Sequence, residues 1–506
     1  MKNRSLRAFS LWAMTLLLVA IISTTACRKK DEKIKHDVTF VGLTDNNTLI
    51  TLNSDDPQHD LRSVTLTGLA SGERILGVDY RPATGQLYGV SSANRIYVIN
   101  DETGVARAIG AAAFTPAING SIVGFDFNPT VDRIRLVTNL GQNLRLNPET
   151  GGVAATDGAL NPGTPSVSEV AYSNNRAGAA TTILYDIDVK TDKLYRQDPP
   201  NAGTLVEIGS LGVNAEGAVG FDISSFDVAL AAMRVNGVTQ LYTINLTTGR
   251  ATNLGRCSGG SNINIIGLAI STEPVAYAVD GSNNLLIFNP MNPTPVSKAI
   301  TGLQSGENVL GLDMRPLNGQ LYALGSGSRL YTINASSGAA TVVGTSAFAT
   351  PLSGTFFGFD FNPVVDRIRI VSNTGQNLRA HPETGAIAAV DGNLNPGTPS
   401  ISAAAYSNNF AGTTATTLYV LDVKNKKLFT QNPPNNGTLV PVGNLSFDYS
   451  EANGFDIGGT SGKAYALLDD EGTTRLFQVN LGTAQLNRGI VFPAPVVRGF
   501  TLGLGF

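Results

Sequence analysis

The sequence is poor in the residues that most metal sites and catalytic sets require. Only two cysteines, Cys27 and Cys257, and three histidines, His36, His59 and His381, occur in 506 residues. Zinc sites need several Cys or His ligands at short spacing, and no such spacing occurs. No Ser-His-Asp set can be assembled, and no glycine-rich phosphate loop leads from a strand into a helix. The chain thus carries no recognisable enzyme signature, although carboxylates from separate segments can still converge in the fold.

Charge is also scarce, because Asp, Glu, Lys and Arg together make up 15% of the residues and the net charge is −3. Nucleic-acid binding domains carry a basic patch or stripe, and none occurs, so nucleic acid is excluded as a partner. Helical periodicity is missing as well, since no useful stretch with a 3.6-residue hydrophobic repeat follows Ile22. What the chain has in quantity is glycine, at 55 residues, which favours many short strands and turns.

The first residues predict an export signal rather than part of the fold. A basic start is followed by a short apolar run, Leu11–Ile22, and then by small residues before Cys27. The run is shorter than the roughly 20 residues of a transmembrane helix, so residues 1–26 are predicted to be a cleaved signal peptide. The cysteine makes this segment resemble a bacterial lipoprotein signal, which implies a lipidated Cys27 and attachment to the membrane through that lipid. A plain secretory signal is the alternative, because Thr24 stands where lipoproteins usually have leucine.

Residues 27–37 form a charged stretch without an apolar face, which predicts a solvated tether between the lipid and the folded part. The stretch also resembles charge-rich segments that route some lipoproteins to the outer leaflet in Bacteroidetes-like bacteria. The protein is therefore expected to be an outer-membrane lipoprotein of the cell envelope. Exposure at the cell surface is the more specific alternative.

The rest of the chain is a tandem repeat of one long sequence unit. Positions about 234 residues apart match with almost no insertions, so residues 38–272 form copy one and residues 273–506 form copy two. The segment Gly124–Asn175 matches Gly358–Asn409 at 39 of 52 positions, whereas the first part of each copy has diverged far more. Either a shared requirement or a recent exchange between the copies has kept this segment similar.

A shorter period of roughly 40 to 50 residues lies inside each copy. Apolar alternation at Val78–Tyr80, Gln86–Val90, Arg95–Ile99 and Val105–Ile109 predicts four strands, and turn residues separate them. The same pattern returns about five times in each copy. Units of four short antiparallel strands at this spacing are typical of propeller blades, so we predict an all-β fold, a β-propeller of about ten four-stranded blades.

Two ways of closing this fold stay open: one ten-bladed ring, or two closely stacked five-bladed rings. The first unit, beginning at Thr39, lacks a strand, and a spare strand, Phe500–Phe506, ends the chain. We expect this last strand to complete the first blade and so to remove an open sheet edge. Its counterpart at the end of copy one is Ile265–Ile270. The linker Ser271–Pro274 spans on the order of 15 Å, which disfavours two rings side by side.

A specific motif occurs once in each copy. It is N-P-x-x-D-R, at Asn128–Arg133 and Asn362–Arg367, and it is followed by GQNLR and PETG. The motif resembles that of the bacterial domain-of-unknown-function family 4394, and the resemblance covers almost all of the chain after the tether. It implies a propeller-like repeat domain in secreted or envelope proteins. It implies no reaction, ligand or functional residue.

The polar residues of this repeated segment allow two interpretations. In the first they hold neighbouring strands or blades together, since Asp accepts from turn N–H groups and Arg can bind a carboxylate with two hydrogen bonds. In the second they line one mouth of the ring and bind a polar ligand, with the tyrosines stacked on a sugar. The candidates are Asn128, Asp132, Arg133, Gln142, Asn143, Arg145 and Tyr172 in copy one and Asn362, Asp366, Arg367, Gln376, Asn377, Arg379 and Tyr406 in copy two.

A second set of candidates consists of six aspartates that occur in Gly-x-Asp sequences. We expect them near the ring channel, chiefly as hydrogen-bond acceptors between blades. A calcium ion or another hard cation held by their oxygens is the alternative. No other cofactor is expected. These residues are Asp79, Asp126, Asp222, Asp313, Asp360 and Asp456.

Three functions are compatible with these features, because propellers host many activities. The favoured one is a non-catalytic binding module on the cell envelope, whose partner is a polysaccharide or an envelope protein. The first alternative is a hydrolase or lyase with carboxylates at the propeller mouth, with or without a divalent cation. The second is a structural envelope component without a small ligand. The sequence assigns no catalytic residue.

Overall fold

The computed structural model describes residues 37–258, 263–447, 449, 451–494 and 496–506. Within them the chain forms forty strands in ten four-stranded antiparallel sheets, together with two short 3₁₀ segments, Pro200–Ala202 and Pro434–Asn436. The all-β prediction with ten four-stranded units is confirmed. None of the helical segments in this part of the chain has the length or apolar character needed to cross a membrane. Cys27 and the predicted signal peptide lie outside the described residues.

Copy one supplies the strands of sheets 1 to 5. Sheet 1 has the strand order β20-β1-β2-β3, and sheets 2 to 5 each use four consecutive strands, from β4 to β19. The strands are β1 (Thr39–Thr44), β2 (Thr48–Asn53), β3 (Arg62–Thr65), β4 (Ile75–Arg81), β5 (Gln86–Ser91), β6 (Ile96–Ile99), β7 (Ala106–Ile109), β8 (Val123–Asn128), β9 (Arg133–Thr138), β10 (Asn143–Leu146), β11 (Val153–Thr156), β12 (Val167–Tyr172), β13 (Leu184–Asp188), β14 (Lys193–Gln197), β15 (Leu205–Ser210), β16 (Glu216–Ile223), β17 (Ala229–Val235), β18 (Val238–Ile244), β19 (Ala251–Arg256) and β20 (Ile265–Ile270).

Copy two supplies the strands of sheets 6 to 10. Sheet 6 has the order β40-β21-β22-β23, and sheets 7 to 10 each use four consecutive strands, from β24 to β39. The strands are β21 (Ala276–Asp280), β22 (Asn284–Asn289), β23 (Asn292–Ala299), β24 (Val309–Met314), β25 (Leu321–Gly325), β26 (Arg329–Ile333), β27 (Ala340–Val343), β28 (Phe357–Asn362), β29 (Arg367–Ser372), β30 (Asn377–Ala380), β31 (Ile387–Val390), β32 (Ile401–Tyr406), β33 (Leu418–Asp422), β34 (Lys427–Gln431), β35 (Leu439–Asn444), β36 (Glu451–Ile457), β37 (Ala464–Asp470), β38 (Thr473–Val479), β39 (Leu486–Val491) and β40 (Val497–Leu502).

Each copy supplies the strand that completes its own first sheet. β20 pairs with β1 in copy one, and β40 pairs with β21 in copy two. The prediction that the last strand of the chain completes the first sheet is therefore wrong, because β20 already occupies that edge of β1. The last strand also ends earlier than predicted, at Leu502, and the residues after it contact copy one, where Gly505 N donates to Thr84 O at 2.8 Å.

Within each copy the inner strands of the five sheets contact one another in series. They are β20, β4, β8, β12 and β16 in copy one and β40, β24, β28, β32 and β36 in copy two. In copy one the contacts run in the order given and return from β16 to β20. In copy two they run from β40 through β24, β28 and β32 to β36 and return to β40. The inner strands of each copy therefore form a five-membered set.

The hydrophobic core of each copy lies between adjacent sheets. Successive residues of a strand point to opposite faces, so Leu87 packs toward sheet 1 whereas Tyr88 packs toward sheet 3. Both faces of the sheets are covered in this way, and inner strands such as β8 are buried over nearly their whole length. Outermost strands such as β11 are half-buried or exposed. This burial on both faces explains why the inner strands contain few polar residues apart from the aspartates.

The glycines of the Gly-x-Asp sequences permit the close approach of the inner strands. A Cβ atom on Gly124 would lie 3.0 Å from Val170 N, and one on Gly358 would lie 2.7 Å from Ala404 N. The obstructing atoms belong to the main chain of the neighbouring inner strand, so they cannot turn aside as a side chain would. Glycine at these positions brings the aspartate two residues later to the meeting point of the strands.

Candidate functional site

A buried arginine network joins sheet 3 to sheet 4 and contains several of the predicted site residues. Its centre is Arg135, which the sequence analysis did not select. Arg135 Nη1 donates to Asn143 Oδ1 and to Asp157 Oδ2, both at 2.7 Å, and its Nη2 donates to Asn201 Oδ1 at 2.8 Å. Asn201 lies in the 3₁₀ segment of sheet 4, so one guanidinium links two neighbouring sheets.

Asn143 and Arg145 complete this network. Asn143 Nδ2 donates to Pro200 O at 3.1 Å, and Arg145 binds both oxygens of Asp157, at 2.8 and 2.9 Å. Burial raises the pKa of Asp157, but hydrogen bonds from Arg145 and Arg135 outweigh it and hold the pKa below its usual value. These contacts are those expected of residues that hold adjacent sheets together.

Copy two repeats the network around Arg369. Arg369 Nη1 donates to Asn377 Oδ1 at 2.7 Å and to Asp391 Oδ2 at 2.6 Å, and Arg379 binds both oxygens of the same aspartate. Asn377 Nδ2 donates to two carbonyl oxygens, at 2.9 and 3.1 Å. Both N–H groups of this buried amide are therefore occupied within the protein, as they are in Asn143.

Asp132 lies in a second network, with an arginine from the preceding sheet. Arg81 Nε donates to Asp132 Oδ1 at 2.8 Å, and its Nη2 donates to the other oxygen of Asp132 and, at 2.9 Å, to Glu149 Oε1. Asp132 and Glu149 lie in two separate turns of sheet 3. Arg81 thus connects the inner strand of sheet 2 with both of these turns.

The equivalent network of copy two has the same contacts but different surroundings. Arg315 binds both oxygens of Asp366 and, at 2.9 Å, Glu383 Oε1. The side chains of Asp366 and Glu383 are 32% and 64% exposed, whereas those of Asp132 and Glu149 in copy one are 1% and 10% exposed. Copy two itself covers the copy-one network, since Arg81 Nη1 donates to Gly319 O at 3.2 Å.

Gln142 and Gln376 make contacts of a different kind. Gln142 Oε1 accepts from Asn119 N at 2.8 Å, and Gln376 Oε1 accepts from Ser353 N at 2.9 Å. Each glutamine thus holds the loop that precedes the inner strand of its sheet. The structure does not bring these two side chains into the arginine networks.

A cavity of about 170 Å³, which we name the arginine groove, lies beside the Arg369 network in copy two. Arg367 Nη1 donates to Asp366 O at 2.8 Å, and Arg367 forms no ion pair with any described residue. The groove therefore has one guanidinium whose charge is not neutralised by a carboxylate partner. Its walls include Asn362, Val365, Arg367, Arg369, Arg379 and Tyr406.

The corresponding rim of copy one contacts copy two. Val131 O accepts from Asn334 Nδ2 at 3.4 Å, and Glu149 O accepts from Asn318 Nδ2 at 3.3 Å. Burial raises the pKa of Glu149, while Arg81 and then Arg133 act in the opposite direction. Arg133 makes the same main-chain contact as its counterpart Arg367, with Asp132 O at 2.7 Å, but it lies at a rim that copy two contacts, whereas Arg367 lines the arginine groove.

A separate cluster of carboxyl groups lies where the inner strands of copy one meet. One oxygen each of Asp79, Asp126 and Asp222 lies within 4.8 Å of the others, and each residue is 1% exposed. Asp79 Oδ2 accepts from Phe127 N at 2.8 Å, and Asp126 Oδ1 accepts from Tyr172 N at 3.0 Å. Each of these carboxyls is hydrogen-bonded to the main chain of the next inner strand.

Burial raises the pKa values of all three carboxyls well above their usual range. Repulsion from neighbouring carboxyls adds to the effect at Asp79 and Asp126. Burial raises the pKa of Asp222 to about 7, against hydrogen bonds from two backbone amides and the lowering influence of the nearby Asn175 side chain. The cluster thus concentrates negative charge, or protons, in a space closed to solvent.

Copy two has a matching cluster of Asp313, Asp360 and Asp456, also with oxygens within 4.8 Å of one another. It contains an additional hydrogen-bond donor. Thr501 Oγ1 lies 3.0 Å from both Asp313 Oδ1 and Asp456 Oδ2. Burial raises the pKa of Asp456 to about 7, against hydrogen bonds that include one from Thr501.

Several residues in these sites, among them Arg135, Arg81 and Asn175, were not candidates in the sequence analysis. Arg135 could have been found, because it follows Arg133 by two positions in the same strand and is repeated as Arg369. Arg81 and Asn175 are likewise repeated, as Arg315 and Asn409, but their partners Asp132 and Asp222 lie in other sheets and are distant in sequence.

Comparison with known proteins identifies a family and two solved structures with partial similarity. The family described as a domain of unknown function, DUF4394, matches residues 48–269 and 284–498, and no curated protein matches the chain. The first structure is PorZ, a surface component of the type-IX secretion system of Porphyromonas gingivalis, at 13% identity and a TM-score of 0.26. The similarity covers 86% of this chain and 55% of the PorZ chain.

The second structure is the extracellular domain of a putative one-component system from B. thetaiotaomicron. It has 13% identity and a TM-score of 0.25, and the similarity covers 90% of this chain and 66% of that one. The chain therefore spans only part of the length of both proteins.

Proposed function

Since the chain belongs to the DUF4394 family, whose description names no activity, we propose its role from geometry: a non-catalytic binding module of the cell envelope, made of two five-bladed β-propellers. The two five-membered sets of inner strands support two rings rather than one ring of ten blades. The separate closing strands β20 and β40 support the same conclusion, because each completes a sheet of its own copy.

The arginine groove is the observation that carries the binding role. Arg367 has no carboxylate partner among the described residues, and its guanidinium lines a cavity of about 170 Å³. Ligand pockets usually measure roughly 300–1,000 Å³, so the groove accommodates one small group that projects from a larger partner. A guanidinium binds carboxylates with two hydrogen bonds. We infer that the partner is an acidic envelope polysaccharide, which enters the groove through a uronate carboxylate.

The buried carboxyl clusters favour binding over hydrolysis. Asp79, Asp126 and Asp222 are 1% exposed and hydrogen-bonded to neighbouring strands, so a polysaccharide chain has no access to them. The two described histidines serve surface turns, where His59 Nδ1 lies 2.7 Å from Asp56 Oδ2 and His381 Nδ1 accepts from Glu383 N at 3.2 Å. A general acid or base needs contact with the substrate, which these positions do not provide.

Membrane attachment through Cys27 completes the proposed role. The sequence before Cys27 supports export and lipidation, and residues 27–37 provide the tether. Replacing Cys27 with Ser removes the thiol that would carry the lipid. We expect the C27S chain to leave the membrane fraction and to lose incorporation of labelled palmitate, whereas a C257S control keeps both. Palmitate incorporation that survives in C27S would contradict the anchor.

The binding role is tested with the full chain and two polysaccharides that differ in charge. Biolayer interferometry compares alginate, a polyuronate, with dextran, which is neutral. We expect alginate to bind and Arg367→Gln to weaken it at least tenfold, because the uncompensated guanidinium is removed. The matched control is Arg133→Gln in copy one, which should change binding less than twofold. Equal binding of dextran and alginate, or full alginate binding by R367Q, would contradict the proposal.

A further inference from the structure

The centre of copy one differs from that of copy two at two positions. Glu169 stands where copy two has Ala403, and Ala269 stands at the position in β20 that Thr501 occupies in β40. In copy two the Thr501 hydroxyl contacts two of the three carboxyls. Copy one has an alanine at this position and a fourth carboxyl nearby. The two centres are therefore built from equivalent strands but differ in the number of carboxyl groups.

Glu169 adds an oxygen without a hydrogen-bond partner to the copy-one centre. It is 3% exposed, and in addition to the effect of burial, Asp79 and Asp222 lie close enough for their charges to raise its pKa. Its Oε1 accepts from Phe125 N at 2.7 Å, while its Oε2 has no partner among the described residues. It also lies close enough to Asp126 to repel that carboxyl electrostatically.

Asn175 provides a second oxygen of this kind. It is 1% exposed, and its side chain contacts the carboxyl of Asp222. Neither its Oδ1 nor its Nδ2 has a hydrogen-bond partner among the residues that the structure describes. A buried amide oxygen without a partner is unfavourable unless a cation, a donor or water satisfies it. Two buried oxygens without partners thus adjoin three carboxyls in a closed space.

We propose that this cluster, the copy-one axial site, binds one divalent cation through Asp79, Asp126 and Asp222, with Glu169 and Asn175 as further oxygen donors. Calcium takes six to eight oxygen ligands at roughly 2.3–2.6 Å, so ligands on opposite sides of the ion are about 5 Å apart. The three carboxylate oxygens lie within 4.8 Å of one another, so one ion can contact all three. Magnesium requires about 2.0–2.1 Å and usually keeps several waters, so the site prefers Ca²⁺.

Such an ion has a structural role, because its ligands come from four different sheets. Asp79, Asp126 and Asp222 belong to sheets 2, 3 and 5, and Glu169 belongs to sheet 4. Binding therefore stabilises the arrangement of the inner strands of copy one and raises the temperature at which that copy unfolds. Copy two uses the Thr501 hydroxyl at the equivalent place and does not depend on the ion.

Calcium uptake is measured on the full chain after treatment with a chelator. Isothermal titration with CaCl₂ and with MgCl₂ gives stoichiometry and affinity, and elemental mass spectrometry gives the bound metal after desalting. We expect one Ca²⁺ per chain, bound at least tenfold more tightly than Mg²⁺. A chain that takes up no Ca²⁺ at millimolar concentration overturns the proposal and indicates that the carboxyls share protons instead.

Glu169→Gln is the informative variant, because glutamine retains the oxygen that accepts from Phe125 N while the charge is lost. We expect E169Q to bind Ca²⁺ at least tenfold more weakly and to lose the rise in unfolding temperature that Ca²⁺ gives the wild type. Asp360→Asn in copy two is the matched control and should retain one Ca²⁺ with unchanged affinity. Retention of wild-type affinity by E169Q, or loss of the ion in D360N, overturns the assignment.

The unfolding temperature of E169Q in chelator shows whether the variant fails to bind Ca²⁺ merely because it is misfolded. Without the ion, E169Q should be at least as stable as the wild type, since one of four mutually repelling carboxyls is removed. A variant that is stable in chelator but does not bind Ca²⁺ supports the site. A variant that binds Ca²⁺ normally contradicts it, whatever its stability.

Discussion

The Arg81 network of copy one is buried beneath copy two, whereas the Arg315 network of copy two faces solvent. The hydrogen bonds inside the two networks are the same, because Arg81 and Arg315 occupy matching positions and the turns that carry their carboxylate partners are nearly identical in sequence. What differs is the neighbour: Gly319 and Asn318 cover the first network, and Glu383 in the second is left 64% exposed. Sequence repetition thus preserves internal contacts, while the contact between copies decides which surface stays open.

The largest expected difference between the copies concerns Asp132 and Asp366. Asp132→Ala leaves the buried guanidinium of Arg81 without its two-bonded partner, which costs about 3–5 kcal/mol of unfolding free energy. Asp366→Ala disrupts a partly exposed pair and costs about 1 kcal/mol or less. Urea unfolding of the two variants measures the difference. Equal losses would show that copy two does not bury the copy-one network.

The next comparison concerns the glycines between inner strands. A Cβ on Gly358 would lie 2.6 Å from the Ala404 Cβ, and one on Gly124 would lie 3.0 Å from Val170 N. Gly358→Ala should therefore destabilise the protein by about 1–3 kcal/mol, and Gly124→Ala by less. The control is Gly152→Ala, which has an open surrounding and reproduces Ala386 of copy two. Thermal unfolding that ranks G152A with G358A would be inconsistent with close packing of the inner strands.

A third comparison should show no difference between copies. Asn143 and Asn377 make the same contacts in equally buried networks. Replacing either with Ala leaves a buried arginine and two carbonyl groups with fewer partners, at a cost of about 1–3 kcal/mol. We expect the two losses, measured by urea unfolding, to agree within about 0.5 kcal/mol. A loss confined to one copy would mean that the networks are not equivalent.

The last expected effect is a pH dependence at Asp456. Burial raises its folded-state pKa to about 7, above an unfolded value near 3.9, so the folded chain holds a proton that the unfolded chain has lost. Stability from this group is thus greatest below pH 4 and falls as pH rises toward 7. Relative to Asp456→Asn, the wild type should lose stability over this interval. A difference that stays constant from pH 4 to pH 7 would contradict the raised pKa.

The sheets were predictable from the sequence because strand alternation and turn residues are local signals. The runs at Gln86–Val90 and Arg95–Ile99 coincide closely with β5 and β6. The closing strands were harder, since the pairing of β20 with β1 depends on contacts across the whole of copy one. Local patterns equally give no information on Glu169, whose neighbours Asp126 and Phe125 belong to another sheet. The cover that Gly319 provides over Arg81 arises only when the two copies meet.

The division of roles between the copies is tested most directly by the number of binding sites for a short oligouronate on the full chain. Isothermal titration of a uronate trisaccharide should give one site per chain, because Arg367 lines the arginine groove whereas copy two contacts the corresponding rim of copy one. Arg367→Gln should abolish that site, and Arg133→Gln should leave it intact. Two equivalent sites per chain, or one site that R133Q removes, would contradict the account.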